Sequence, residues 1–146
     1  QGIETLHLRM PRHVENTRKV VQFLSSNALV ERVFYPELPD HPDHDLAKRL
    51  LPKGCGAVFS FDLKGGREAG RRFIEALRVF SHLANVGDAK SLVIHPATTT
   101  HYRMTEEDLK KAGITAGTVR LSIGLEDPED LIDDLSRGLH AAEKGR

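Results

Sequence analysis

Apolar residues recur at two spacings along the chain, and each spacing predicts one type of element. Strict alternation over residues 57–63 (AVFSFDL) predicts a strand with its apolar side chains on one face and Ser60 and Asp62 on the other. Helical spacing over residues 68–80 and 128–142 predicts two amphipathic helices, each with one apolar side. These segments supply enough apolar surface for a packed core.

The remaining elements are shorter or less regular. A helix is predicted over residues 2–27, with Pro11 breaking its hydrogen-bond ladder and kinking or dividing it. Thr105 and Asp127 are good caps for two further helices. The other predictions are strands at 30–35, 81–86, 91–95 and 118–123, and short helices at 44–51 and between 105 and 113. This order indicates an α/β fold of the α+β type, a mainly antiparallel sheet covered by helices on one face.

Composition narrows the class of protein. A length of 146 residues suits one domain with a core of its own. Lys+Arg and Asp+Glu both number 21, so the basic excess typical of nucleic-acid binders is missing. No apolar run reaches the length of a membrane span, and no signal peptide is visible. Cys55, without a second cysteine, has no internal disulfide partner, and we expect a reducing, cytoplasmic setting.

Arg120 is the most informative single residue. In the strand 118–123 (TVRLSI), alternation places Val119, Leu121 and Ile123 against the helices and sends Thr118, Arg120 and Ser122 to the open face. An arginine there can bind a carboxylate through two parallel hydrogen bonds. It can equally be a surface arginine paired with a nearby Asp or Glu.

Two polar loops are further candidates. Gly87 permits a turn or bulge within residues 85–91, where Asn85 can both donate and accept; an ordinary hairpin explains the segment equally well. Residues 95–101 (HPATTTH) could line a polar pocket or form a surface loop. A metal site built from His82, His95 and His101 matches no standard spacing, so no metal is expected.

Other charged pairs and short motifs favour no additional site. Residues 71–72 (RR) and 133–134 (DD) are expected on solvated helix faces. The glycine pair at 65–66 is too short to indicate a phosphate-binding loop. The sequence contains no phosphate loop, dinucleotide fingerprint or nucleophile elbow.

Three longer strings carry a family resemblance. Residues 2–10 (GIETLHLRM) resemble the helix that leads into the small domain of Cys/Met-metabolism PLP enzymes. Residues 81–101 (SHLANVGDAKSLVIHPATTTH) are very similar to the form seen in the O-acetylhomoserine sulfhydrylases of that family. Residues 119–127 (VRLSIGLED) look like its closing strand and helix cap.

The resemblance implies a fold and a role for each domain of the full-length enzyme. It implies the small C-terminal domain of a fold-type I PLP enzyme, similar to the aspartate aminotransferases, with residues 1–28 as the leading helix and 29–146 as the substrate-binding domain. In this family the cofactor, pyridoxal phosphate (PLP), sits in a larger N-terminal domain. An acyl group leaves O-acetylhomoserine, and sulfide or a thiol adds to give homocysteine or methionine. Arg120 matches the arginine that grips the substrate α-carboxylate, and Asn85 the position that contacts the same carboxylate.

The catalytic half of such an enzyme is missing from this sequence. None of its lysines lies in the family's Schiff-base motif, so the chain is expected to hold no catalytic residue, to bind no cofactor and to be inactive alone. The resemblance implies a homotetramer for the full-length enzyme, with no nucleic-acid or membrane partner.

Two alternatives stay open. Within the family, a cystathionine γ-synthase or a methionine or cystathionine γ-lyase shares most of the motifs. From another class, a self-contained ferredoxin-like ligand-binding or regulatory module shares the order strand, helix, two strands, helix, strand. Coding sequence upstream of Gln1 would discriminate the second alternative.

Overall fold

The structure is a computed structural model that describes residues 2–99, 105–111 and 113–144. Its helices are α1 (Leu6–Ser25), α2 (His44–Leu50), α3 (Gly66–Ala76), α4 (Glu106–Lys111) and α5 (Pro128–Glu143), with a 3₁₀ turn at Pro96–Thr98. Its strands are β1 (Val30–Phe34), β2 (Val58–Leu63), β3 (Ser81–His82), β4 (Leu92–Ile94) and β5 (Thr118–Ser122). No helix within the described ranges is long and apolar enough to cross a membrane.

One five-stranded sheet organises the chain, in the order β1-β2-β5-β4-β3. Three of its four strand pairs are antiparallel, which confirms the predicted fold class. The exception is β3, which runs parallel to β4 and pairs through Ser81 and His82. The predicted strand over 81–86 is therefore wrong beyond His82, and the hairpin interpretation of residues 85–91 is wrong as well. A parallel pair needs a crossover connection instead of a tight turn.

The core lies between the sheet and helices α1, α3 and α5. Alternation places Phe59, Phe61 and Val119 on the covered face, as predicted, and all three are buried. The rings of Phe61 and Phe73 meet edge to face with centroids 5.7 Å apart. Helices α3 and α5 pack closely because Gly138 leaves room for the Phe73 ring, which a Cβ at that position would approach to 2.8 Å.

Two helix predictions need correction. Helix α1 is continuous through Pro11, so the proline does not divide it. Helix α3 ends at Ala76, four residues before the predicted end at Phe80. The physical cause is Asp134, whose carboxylate accepts hydrogen bonds from the backbone N–H groups of Arg78, Val79 and Phe80 at 2.8–3.1 Å. These bonds stabilise an extended turn where the helix would otherwise continue.

Asp134 itself was predicted to lie on a solvated face, and that prediction is wrong. Its side chain is 1% exposed, and Arg137 donates to it at 2.5 Å. Its neighbour Asp133 is exposed as expected. The pair 71–72 divides in a similar way, because Arg71 is exposed between two glutamates whereas Arg72 Nη2 donates to Ala142 O at 3.3 Å.

Helix α1 is fastened to the link between β5 and α5. The Nδ1 atom of His13 lies 2.7 Å from Ile123 O. The side-chain amide of Asn16 donates to Gly124 O at 3.1 Å and to Glu126 O at 2.8 Å. Both side chains are buried, so these polar contacts lie inside the protein and specify how the helix docks.

Candidate functional site

A row of four side chains crosses the sheet on the face away from the main core. Phe34 is paired with Ser60, Ser60 with Arg120, and Arg120 with Ile94, so the row spans β1, β2, β5 and β4. Residues directly opposite one another in antiparallel strands project to the same side. Arg120 therefore lies on the predicted open face of the sheet.

This row forms the floor of a depression of about 400 Å³. Its lining is mostly apolar, and Arg120 is the one charged residue among the described residues that line it: Phe34, Val58, Phe59, Ser60, Ile94, Pro96, Ile114, Thr118 and Arg120. A cation beside an apolar floor suits a ligand with one carboxylate and a less polar remainder.

The open face is less exposed than the alternation alone suggests. Thr118 and Ser122, which flank Arg120 along β5, are both buried. Thr118 donates to Asp62 Oδ1 at 2.5 Å, and Ser122 Oγ accepts the N–H of Gly87 at 3.3 Å. Arg120 remains half-buried between these two satisfied hydroxyls. Of these three side chains of β5, Arg120 is therefore the one whose polar group a ligand can reach.

No carboxylate among the described residues lies within ion-pair distance of Arg120. Arg120 Nη2 donates a long hydrogen bond of 3.5 Å to Asn85 O. By contrast, Arg71 on α3 is paired with both Glu68 and Glu75. The interpretation of Arg120 as half of a surface ion pair therefore finds no support in the part of the chain that the structure describes.

The second candidate residue, Asn85, lies next to Arg120 in the structure. It is exposed, and its Oδ1 accepts the N–H of Val86 at 2.8 Å. Gly87 follows with a φ of +74°, a left-handed conformation that a residue without a Cβ adopts at little cost. The turn presents the backbone carbonyl of Asn85, not its side chain, to the guanidinium.

Sequence reasoning from spacing missed a third group beside this loop. Ser91 lies immediately before β4 and is fully buried; its N–H and hydroxyl donate to the two carboxylate oxygens of Glu126 at 2.6 and 2.8 Å. The Ser91 hydroxyl in turn accepts the N–H of Gly124 at 2.8 Å. The string 119–127 had indicated a helix cap here, but no local pattern points to a partner 35 residues away.

Two of the three histidines considered for a metal site, His82 and His95, lie in the described part of the chain. His95 is buried, and its Nε2 lies 2.8 Å from Ala116 O. Burial lowers the pKa of His95, with smaller contributions in the same direction from the charges of Arg67 and His82. His101, with Thr100 beside it in the predicted polar pocket, lies outside the described residues. Within the described ranges, no three His, Cys, Asp or Glu side chains come together as a metal site would need.

A second polar cluster, centred on Glu37, binds loops together. The carboxylate of Glu37 accepts hydrogen bonds from Arg18, Tyr35 and the N–H of Cys55. Burial raises the pKa of the Cys55 thiol, and the charge of Glu37 raises it further, so the thiol is held in its protonated, less nucleophilic form. The cluster connects α1 to the segments on both sides of α2.

Known proteins match this chain over nearly its whole length. The pattern of the family described as Cys/Met metabolism PLP-dependent enzyme matches residues 1–140. The O-acetyl-L-homoserine sulfhydrylase 1 of Thermus thermophilus is 50% identical over 138 residues, which are 94% of this chain and 33% of that protein. An L-methionine gamma-lyase of Fusobacterium nucleatum is 48% identical over 139 residues, 95% of this chain and 35% of that protein.

A solved structure extends the similarity to the fold. A Campylobacter jejuni protein, assigned as an O-acetylhomoserine (thiol)-lyase and holding N'-pyridoxyl-lysine-5'-monophosphate, superposes with a TM-score of 0.89 at 44% identity. The match covers 96% of this chain and 33% of that protein. The chain thus spans about a third of the length of the relatives that it matches.

Proposed function

Because this chain belongs to the Cys/Met metabolism family of PLP-dependent enzymes, we propose that it is the C-terminal substrate-binding domain of an O-acetylhomoserine sulfhydrylase. In this proposal the domain comprises residues 29–146, and residues 1–28, which include α1, lead into it. The full-length enzyme makes homocysteine or methionine from O-acetylhomoserine and sulfide or a thiol. The similarity of the chain to a sulfhydrylase supports this branch of the family.

The observation that carries the proposal is the position of Arg120. Its guanidinium lies on an apolar floor, beside Asn85 O, with no carboxylate partner among the described residues. A half-buried guanidinium binds a carboxylate by a charge-assisted, bidentate pair that is stronger than a fully solvated one. Arg120 therefore grips the α-carboxylate of the amino-acid substrate, and Asn85 borders the same carboxylate.

The described residues do not fit the cofactor itself. The depression around Arg120 has no lysine amine among its described lining residues that could form a Schiff base with PLP. Its single cation and mostly apolar lining also lack a cradle for a phosphate. We therefore place PLP, its lysine and the catalytic steps in another part of the full-length protein, and the present chain binds and orients substrate.

A substrate panel on the full-length gene product tests the branch. With O-acetylhomoserine, a sulfhydrylase consumes sulfide or methanethiol and releases acetate, whereas cysteine as the nucleophile would indicate a cystathionine γ-synthase. Sulfide-dependent homocysteine formation that exceeds the other reactions supports the proposal. Turnover of cysteine in preference to sulfide would contradict it. Sedimentation of the same preparation tests the proposed homotetramer.

A γ-lyase is the second candidate, because a methionine γ-lyase is nearly as similar to this chain as the sulfhydrylase is. With water as the co-reactant and no added thiol or sulfide, such an enzyme would release a 2-keto acid, ammonia and a thiol from methionine or cystathionine. The two activities are separated by supplying methionine alone and measuring 2-ketobutyrate. Keto-acid release at a rate above that of homocysteine synthesis would favour the lyase.

A further inference from the structure

Four hydrogen bonds join residues 89–91 to residues 124–126. Two of them run from Ser91 to the carboxylate of Glu126, and a third runs from the N–H of Gly124 to Ser91 Oγ. The fourth runs from the N–H of Leu125 to Ala89 O at 2.9 Å. We call this set of contacts the Ser91–Glu126 clamp.

The clamp is closely packed. A Cβ at Gly124 would lie 2.4 Å from Ala89 O and 2.5 Å from the Ser91 nitrogen, so only glycine lets the two segments approach this far. On its other side, Asn16 of α1 binds the carbonyl oxygens of Gly124 and Glu126. The backbone of Glu126 is therefore held independently of the loop that its side chain binds.

The clamp controls one end of the loop that touches Arg120. Residues 83–91 connect β3 to β4, and Ser91 is the last residue of this connection; the part before it is called the 83–90 loop. Between the two strands, the described contacts of the loop with β5 are weak, being a 3.3 Å bond from the Gly87 N–H to Ser122 Oγ and the 3.5 Å bond from Arg120 to Asn85 O. The short bonds at Ser91 are thus the firmer constraint on the loop.

We propose that Glu126 is a positioning residue for the substrate carboxylate. Through Ser91 it holds the 83–90 loop against β5 and so sets the distance between Asn85 and Arg120. The inference rests on the proposed carboxylate site at Arg120. Glu126 does not line the depression around Arg120, so its effect on substrate is transmitted by the loop.

The hydrogen-bonding pattern of the clamp makes Glu126→Gln the substitution that best tests this role. Each carboxylate oxygen of Glu126 accepts from one donor of Ser91. In Glu126→Gln the side-chain oxygen can keep the bond to the Ser91 N–H, but the amide places a donor against the Ser91 hydroxyl. That hydroxyl already accepts the N–H of Gly124, so its own hydrogen loses its acceptor. The loop is loosened without removing bulk from the packing.

The experiment is a double-mutant cycle of Glu126→Gln and Arg120→Lys in the full-length enzyme, with O-acetylhomoserine and sulfide. We expect Glu126→Gln to raise the KM for O-acetylhomoserine about tenfold and to leave kcat within about threefold. In the Arg120→Lys background, the same substitution should raise KM by less than about twofold, because the group that it positions is already lost. Glu143→Gln, an exposed change of the same type on α5, is the control and should leave KM unchanged.

A residue that only stabilises the fold would behave differently. It would lower the unfolding temperature and leave KM unchanged in assays well below that temperature, or it would change KM by the same factor in both backgrounds; either result overturns the proposal. If Glu126→Gln does not fold, Ser91→Ala is put through the same cycle, because it removes the two clamp bonds made by the Ser91 hydroxyl and keeps the bond from the Ser91 N–H to Glu126. An unchanged KM in Arg120→Lys alone overturns both the carboxylate site and this inference. A raised KM in Arg120→Lys with normal kinetics in Glu126→Gln overturns the inference alone.

Discussion

The carboxylate of Asp134 accepts the backbone N–H of Phe80 across 54 residues of sequence, at 3.1 Å. The same carboxylate accepts the N–H groups of Arg78 and Val79. One buried side chain on α5 therefore satisfies three consecutive backbone donors beyond the end of α3. These hydrogen bonds connect α5 to the segment after α3, and α3 and α5 are the two helices that cover the centre of the sheet.

Asp134→Asn should destabilise the chain by about 3 kcal/mol, because an amide leaves buried donors facing a donor and removes the charge paired with Arg137. Asp133→Asn, the exposed neighbour, should change the free energy of unfolding by less than about 0.5 kcal/mol. Urea unfolding of both variants, beside the unmodified chain, measures the difference. We expect the unmodified chain to unfold cooperatively. Equal midpoints for the two variants would contradict the assigned role of Asp134.

Arg120→Lys should damage substrate binding more than folding. Lysine keeps the charge and loses the bidentate geometry, so catalytic efficiency of the full-length enzyme should fall at least about tenfold. The free energy of unfolding should change by less than about 1 kcal/mol, because the side chain lies outside the main core. Arg71→Lys on the exposed face of α3 is the matched control. Efficiency within twofold of the unmodified enzyme would remove Arg120 from the carboxylate site.

The chain should lose stability in mild acid through His95. Burial lowers its pKa in the folded state below the ordinary value of about 6.5. The neutral imidazole is therefore favoured by folding, and its contribution is complete above about pH 6.5 and is lost as the pH falls below that value. The loss cannot exceed about 1.4 kcal/mol per pH unit for one proton. Unfolding free energies between pH 7.5 and 5.5 should fall more steeply for the unmodified chain than for His95→Gln; parallel curves would contradict this.

The purified chain should remain colourless after incubation with PLP and removal of the excess. The described residues around Arg120 offer no lysine to the cofactor, and exposed lysines such as Lys90 react weakly and without selectivity. Borohydride reduction followed by mass spectrometry detects any Schiff base. A stoichiometric adduct on one lysine would show that the chain holds a cofactor site after all.

Gly138→Ala should destabilise the chain by about 1–3 kcal/mol, although alanine has the higher helix propensity. The added methyl would lie 2.8 Å from the ring of Phe73, which is fully buried. Ser136→Ala, on the exposed side of the same helix, should be neutral or slightly stabilising. Thermal unfolding compares the two, and a stabilised Gly138→Ala would show that α3 and α5 can separate at little cost.

Local patterns predicted the parts of the fold that depend on local geometry. Alternation along β2 and β5 gave the correct faces for Phe61 and Arg120, because the pleat of a strand fixes them whatever the strand pairs with. The cap at Asp127 was also correct, since its side chain accepts the N–H of Glu129 two residues away. Such interactions are complete within a few residues and leave a readable pattern.

Features set by distant partners left no such pattern. The early end of α3 depends on Asp134, and the parallel pairing of β3 depends on β4 beyond a loop of nine residues, 83–91. The proximity of Asn85 to Arg120 was expected from the family resemblance, yet the contact through the Asn85 carbonyl could not be inferred from residue type. The family resemblance did not indicate the Ser91–Glu126 clamp. In the sequence its two residues look like an ordinary loop serine and an acidic residue beside a helix.

The docking of α1 has a consequence for biosynthesis. His13 and Asn16 find their partners in the β5–α5 link, 110 and 108 residues further along the chain. During translation the first helix therefore leaves the ribosome long before the segment that receives it exists. Contacts of such high sequence separation form late and slow the folding of the whole domain. Until residue 126 is available, His13 and Asn16 must remain hydrated, which leaves α1 open to incorrect contacts during this interval.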